Sequence, residues 1–133
     1  MEVERILIID DDESTLSILT QILQDEGYEV VTAHDGEEGL AQFHSKPMDL
    51  VITDMVMPVK DGLDTILELK KIVPDLPVIA ISAGGKISKE RYLEVAGYLG
   101  NTTTLAKPFS RQEIVGAVKD HLTPDQPVEG IRL

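Results

Sequence analysis

Residues 6–14 read ILIIDDDES, four branched apolar residues followed at once by three aspartates. A run this short and this apolar suits a strand covered on both faces, since a half-exposed strand alternates and a helix needs a longer span. The same pattern recurs at Leu50 to Thr53, followed by Asp54, and at Val78 to Ile81, followed by Ser82. Runs at Tyr28 to Ala33 and Thr102 to Ala106 bring the predicted strands to five, the last leading into Lys107 and Pro108.

Apolar residues at helical spacing fill the intervals: Leu16, Leu19 and Leu23; Leu40 and Phe43; Leu63, Ile66 and Ile72; Tyr92, Val95, Ala96 and Leu99; and Ile114, Val115, Val118 and Leu122. Gly27, Pro47, Pro74 and Pro124 fall where these helices should stop. Ser110 and Glu113 have capping-box spacing, and Phe109 and Ile114 that of a hydrophobic staple. Strand and helix thus alternate five times, which predicts a three-layer α/β domain with a parallel sheet. From Thr123 the sequence TPDQPVEGIRL loses its periodicity and reads as a tail or the start of a linker, so the domain is expected over residues 1–122 and the tail over 123–133.

With 133 residues, 42% of them hydrophobic and 27% charged, the chain has the composition of one globular domain. Twenty-four acidic residues against twelve basic ones give a formal net charge of -12, which disfavours direct binding to nucleic acid. The absence of cysteine rules out disulfides, thiolate nucleophiles and cysteine-held metals. The charged N-terminus has an apolar run of four residues, far from a signal peptide or a membrane span. A soluble cytoplasmic protein without membrane contact is expected.

In open parallel sheets, ligands bind beyond the carboxyl ends of the strands. The polar residues there are Asp10, Asp11 and Asp12, then Asp54, Ser82 and Lys107. A strand order of 2-1-3-4-5 would make strands one, three, four and five contiguous, and these groups would converge. Two carboxylates 4 Å apart repel by about 4 kcal/mol at an effective dielectric near 20, so Asp10, Asp11 and Asp54 require a cation. An all-oxygen donor set suits Mg2+ and lacks the histidines and cysteines of a zinc site. Asp54 is the candidate nucleophile toward phosphorus. The Ser82 hydroxyl and the Lys107 ammonium are candidate partners for phosphoryl oxygens.

The fragments ILIIDDDES, VITDMVMPVKDG, VIAISA and LAKPF, in this order, resemble the signatures of response regulator receiver domains over about residues 4 to 122. The resemblance implies a flavodoxin-like, doubly wound five-stranded parallel sheet of order 2-1-3-4-5 with five helices. It implies Asp10 and Asp11 as the acidic pair, Asp54 as phosphoacceptor, Ser82 as switch hydroxyl and Lys107 as the site lysine. The Val56 backbone carbonyl would join the Mg2+ shell, and the Lys107-Pro108 bond would be cis. The donor would be a sensor histidine kinase or a histidine phosphotransfer protein, and the output a downstream effector protein or an effector domain outside this chain. Such a domain is a signalling phosphoacceptor that catalyses only its own phosphorylation and dephosphorylation. One departure stands out: many receivers carry an aromatic switch residue three positions before the lysine, where this chain has Thr104.

Simpler roles compete at each position. Acids at a helix start serve as caps, which accounts for Asp12; Asp54 before Met55-Val56-Met57-Pro58 has turn chemistry; a loop hydroxyl such as Ser82 often bonds its own backbone. His34, His44 and His121 read as surface residues, and Met48, Met55 and Met57 as fillers of core gaps. An alternative function is a haloacid-dehalogenase-like phosphatase with Asp10 as nucleophile and Asp12 as acid/base, although Ser14 stands where that family has threonine or valine. Another is a receiver-like binding module that takes no phosphate.

Overall fold

The computed structural model describes residues 3–55, 62–82 and 100–122, with Ser82 described by its backbone alone. Five strands, β1 (Arg5–Ile9), β2 (Glu29–Ala33), β3 (Leu50–Asp54), β4 (Val78–Ser82) and β5 (Thr102–Ala106), form one parallel sheet in the order β2-β1-β3-β4-β5. Four helices lie among the described residues: α1 (Glu13–Asp25), α2 (Gly36–Ser45), α3 (Gly62–Ile72) and α4 (Arg111–Leu122). The helix expected between Tyr92 and Leu99, and the tail from Thr123, fall outside the described residues. None of the helices described is long and apolar enough to cross a membrane.

Alternate residues of each central strand feed two cores. Ile6 and Ile8 of β1, Ile52 of β3 and Ile79 and Ile81 of β4 pack with Leu19 of α1 and Ile114 of α4. Leu7 and Ile9, Val51, and Val78 and Ala80 face Ile66 and Leu69 of α3, with Leu40 and Phe43 of α2 at the margin. Each fully buried leucine or isoleucine contributes about 1.5–3 kcal/mol by leaving water, so the continuous apolar runs that mark the central strands also hold the sheet between its helices. Ile72, expected on the inner face of α3, is instead 46% exposed, because Leu69 is the last apolar residue of that helix to reach the core.

The local signals at helix ends take the expected form. Ser110 Oγ accepts from the Glu113 amide at 3.0 Å while Glu113 Oε1 accepts from the Ser110 amide at 2.8 Å, a reciprocal capping box opening α4. Phe109 and Ile114 pack in one cluster, as a staple should. Gly27 has φ of 94°, the left-handed conformation that ends α1 and turns the chain into β2. Met48 and Met55 are buried beside β3; Met57 lies outside the described residues.

Candidate functional site

β1 and β3 are adjacent, with Ile9 paired to Thr53, so the residues that follow them emerge side by side at the carboxyl edge of the sheet. Asp10 and Asp54 are buried at 1% and 6% exposure, whereas Asp11 is exposed. One carboxylate oxygen from each of Asp10, Asp11 and Asp54 lies within 4.8 Å of the other two. These three oxygens would hold an Mg2+ ion, their side chains closing onto it. The donors are all oxygen and their charges crowd together, and both features fit Mg2+.

Asp10 is held at three points. Its amide donates to the Ala33 carbonyl at 3.1 Å, its Oδ1 accepts from the Asp12 amide at 2.9 Å, and its Oδ2 faces Lys107 Nζ at 3.5 Å. Lys107 follows β5, three strands away from β1, and its long side chain reaches back over the sheet edge to Asp10, leaving it 25% exposed. Burial raises the Asp10 pKa above its ordinary 3.8, with the Asp54 charge adding to the effect, while the Asp12 amide and Lys107 oppose it. The folded chain therefore holds this proton more tightly than the unfolded chain. Without a metal, the fold loses stability as pH rises through the window that begins near the ordinary value.

Ser82 ends β4 with its Cα paired to Ala106, and Asp54 is paired with Ile81, so the backbone brings residues 54, 82 and 107 to one edge. Val56 lies outside the described residues. The Lys107-Pro108 bond is cis. Thr104 is exposed in the middle of β5.

Asp12 has the structural role. It is the N-cap of α1, accepting from Thr15 Oγ1 at 2.8 Å, from the Ser14 hydroxyl and from the Ser14 amide at 3.4 Å. Those hydrogen bonds, Thr15's foremost, lower its pKa. Capping α1 occupies the Asp12 carboxylate, a role that competes with the acid/base task that a phosphatase with Asp10 as nucleophile would give it.

Two histidines have more specific surroundings than their sequence context suggested. His34, after β2, sits with Nε2 2.6 Å from Glu13 Oε2 and Nδ1 3.1 Å from Glu38 Oε1, tying the starts of α1 and α2 to the sheet edge. Glu13 first and Glu38 second raise its pKa. The sequence reading places His34 on the surface and anticipates neither contact; Glu38 lies four residues ahead, and Glu13 is 21 residues back. His121, expected on the surface, is half-buried with Nε2 2.9 Å from Thr103 Oγ1, and burial lowers its pKa with help from the Lys70 charge.

The family model described as the response regulator receiver domain matches residues 6–119. The chain is 38% identical over 116 residues to the transcriptional regulatory protein CpxR of Klebsiella pneumoniae and 33% identical over 117 residues to the alkaline phosphatase synthesis transcriptional regulatory protein PhoP of Bacillus subtilis. These alignments cover 86% and 87% of this chain and 47% of each relative, so the chain spans about half the length of the curated relatives it matches. Among solved structures, a CheY-like receiver domain protein from Methanospirillum hungatei superposes with a TM-score of 0.84 at 28% identity, covering 95% of this chain and 98% of that one. A receiver domain protein from Clostridium thermocellum gives 0.79 at 32% identity, covering 95% and 99%.

Proposed function

Because this chain belongs to the response regulator receiver domain family, we propose that Asp54 takes a phosphoryl group from a phosphohistidine, with Mg2+ held by Asp10, Asp11, Asp54 and the Val56 carbonyl. The observation that carries this reading is the meeting of three carboxylates from β1 and β3 within 4.8 Å, two of them buried, with one lysine ammonium alongside. When bound, Mg2+ supplies the positive charge that lets an anionic nucleophile approach an anionic phosphoryl group. An oxygen of Asp54 forms the new bond to phosphorus while the bond to the imidazole nitrogen of the donor breaks, its electron pair staying with that nitrogen. Asp10 and Asp11 hold the cation. Lys107, now 3.5 Å from Asp10, and the Ser82 hydroxyl take phosphoryl oxygens after transfer.

On this reading the donor is a sensor histidine kinase or a histidine phosphotransfer protein, in the cytoplasm. The added charge changes the surface offered to a downstream effector, whether a separate protein or a domain outside this chain. The domain catalyses only its own phosphorylation and dephosphorylation. Incubation with Mg2+ and acetyl phosphate, followed by mapping of the modified residue, tests it: label on Asp54 is expected. Label on Asp10 would mean a phosphatase-type nucleophile, and no label under any metal condition would mean a passive binding module.

A further inference from the structure

We infer that Thr53 and Gly62 are positioning residues for phosphoryl transfer, fixing the peptide unit that follows Asp54; this rests on the reading of Asp54 as phosphoacceptor. Gly62 is the first residue of α3 and is buried against the main chain of β3. A Cβ at this position would stand 2.0 Å from the Asp54 carbonyl oxygen, 2.8 Å from its carbonyl carbon and 2.7 Å from Met55 Cα. All three are backbone atoms, so no side-chain rotation relieves the overlap, and any other residue forces α3 or the Asp54-Met55 peptide to move.

The same peptide is held from its other sides. Thr53, with no exposed surface, donates its hydroxyl to the Asp54 carbonyl at 3.0 Å. The Met55 amide, the other half of this peptide, donates to the Ile81 carbonyl of β4 at 2.9 Å, and the Gly62 amide secures the next peptide by donating to the Met55 carbonyl at 3.1 Å. Thus the neighbouring hydroxyl, the neighbouring strand and the first residue of α3 together fix the plane of this peptide. The Asp54 side chain leaves the Cα to which that peptide is joined, so tilting the plane swings the carboxylate.

Asp54 has two tasks that tolerate little swing. Mg2+ demands near-ideal octahedral ligands, and an in-line attack loses on the order of 100-fold in rate when the reacting group is misplaced by about 1 Å. The acids of the cluster supply charge; Thr53 and Gly62 supply aim.

The test compares wild type with Thr53→Val, Thr53→Ser and Gly62→Ala. Three quantities are read on each: Mg2+ affinity by calorimetry, the rate of acetyl phosphate labelling at saturating Mg2+, and the melting temperature of the metal-free protein. Thr53→Val keeps the shape and removes the donor; it is expected to slow labelling about tenfold and weaken Mg2+ binding about threefold, with a modest fall in melting temperature from the carbonyl that loses its donor. Thr53→Ser, which keeps the hydroxyl, should return both to within about twofold of wild type, a rescue that a packing role for the methyl group would not give. Gly62→Ala should slow labelling by about 100-fold. If Gly62→Ala does not fold, the two Thr53 variants decide. Thr53→Val matching wild type, or Thr53→Ser failing as badly as Thr53→Val, overturns the inference. A wild-type protein that takes no label would instead overturn the reading of Asp54, and this inference with it.

Discussion

At the amino edge of the sheet, Lys70 is only 4% exposed, yet its ammonium donates to the Leu76 carbonyl at 2.8 Å and to the Gly100 carbonyl, which stand just before β4 and β5. Nearby, Arg5 donates to Glu29 Oε2 at 2.9 Å and to the Pro47 carbonyl at 2.8 Å, while its amide donates to Asp49 at 2.7 Å. At the carboxyl edge, three carboxylates crowd within 4.8 Å and one lysine stands 3.5 Å from one of them. Charges at the first edge point at acceptors and join loops to strands. Charges at the second repel one another and gain by admitting a cation. Burial of a charge is common to both edges, so burial alone does not mark the site; the sign of the surroundings does.

If that contrast is sound, the largest effect belongs to Asp54. Asp54→Asn should abolish phosphoryl uptake, read by mass spectrometry of the intact protein, while far-UV circular dichroism and the melting curve stay close to wild type. Persistent uptake would move the acceptor elsewhere. At the other edge, Lys70→Met should lower stability to urea by about 2 kcal/mol, because the buried Leu76 carbonyl and the part-buried Gly100 carbonyl lose their donor, and should leave Mg2+ affinity untouched. Coupled loss of metal binding would show that the two edges are not independent.

A smaller change of opposite sign is expected at Asp10. Asp10→Asn relieves a buried charge beside a like charge, so the metal-free protein should gain about 1 kcal/mol, while Mg2+ binding weakens. The gain should fade as pH falls toward the ordinary carboxylate range, where the wild-type carboxyl takes up its proton. Equal destabilisation by Lys70→Met and Asp10→Asn would erase the distinction between the edges.

The smallest effects are those of the histidines. Imidazole proton signals should titrate above the ordinary 6.5 for His34 and below it for His121. The raised pKa of His34 means that its contribution to stability is present below 6.5 and is lost as pH rises through its folded value. For His121 the unfolded chain binds the proton more readily, so stability rises with pH up to 6.5.

What the sequence disclosed follows from how far each feature reaches along the chain. The five strands are local apolar runs, and the capping box at Ser110 and Glu113 spans three residues, so both were legible. The acids of β1 and β3 were legible as types at strand ends; their meeting needed the strand order, which the resemblance implied and the sheet carries. Lys70 was not legible, because a lysine in the last turn of a helix fits an exposed reading equally well, and its acceptors lie 6 and 30 residues away. The His34 bridge reaches 21 residues back to Glu13, and the contact of Gly62 with Asp54 depends on how α3 returns to β3. The first leaves no pattern in the sequence, and the second only a glycine at the end of VITDMVMPVKDG, whose contact the sequence does not reveal.

A diffraction experiment on crystals soaked in Mn2+, with the anomalous signal used to locate the metal, addresses the central claim most directly. One peak bonded to oxygens of both Asp11 and Asp54 is the predicted result. A metal that touches only one of these acids, or that sits away from this edge of the sheet, would contradict the account.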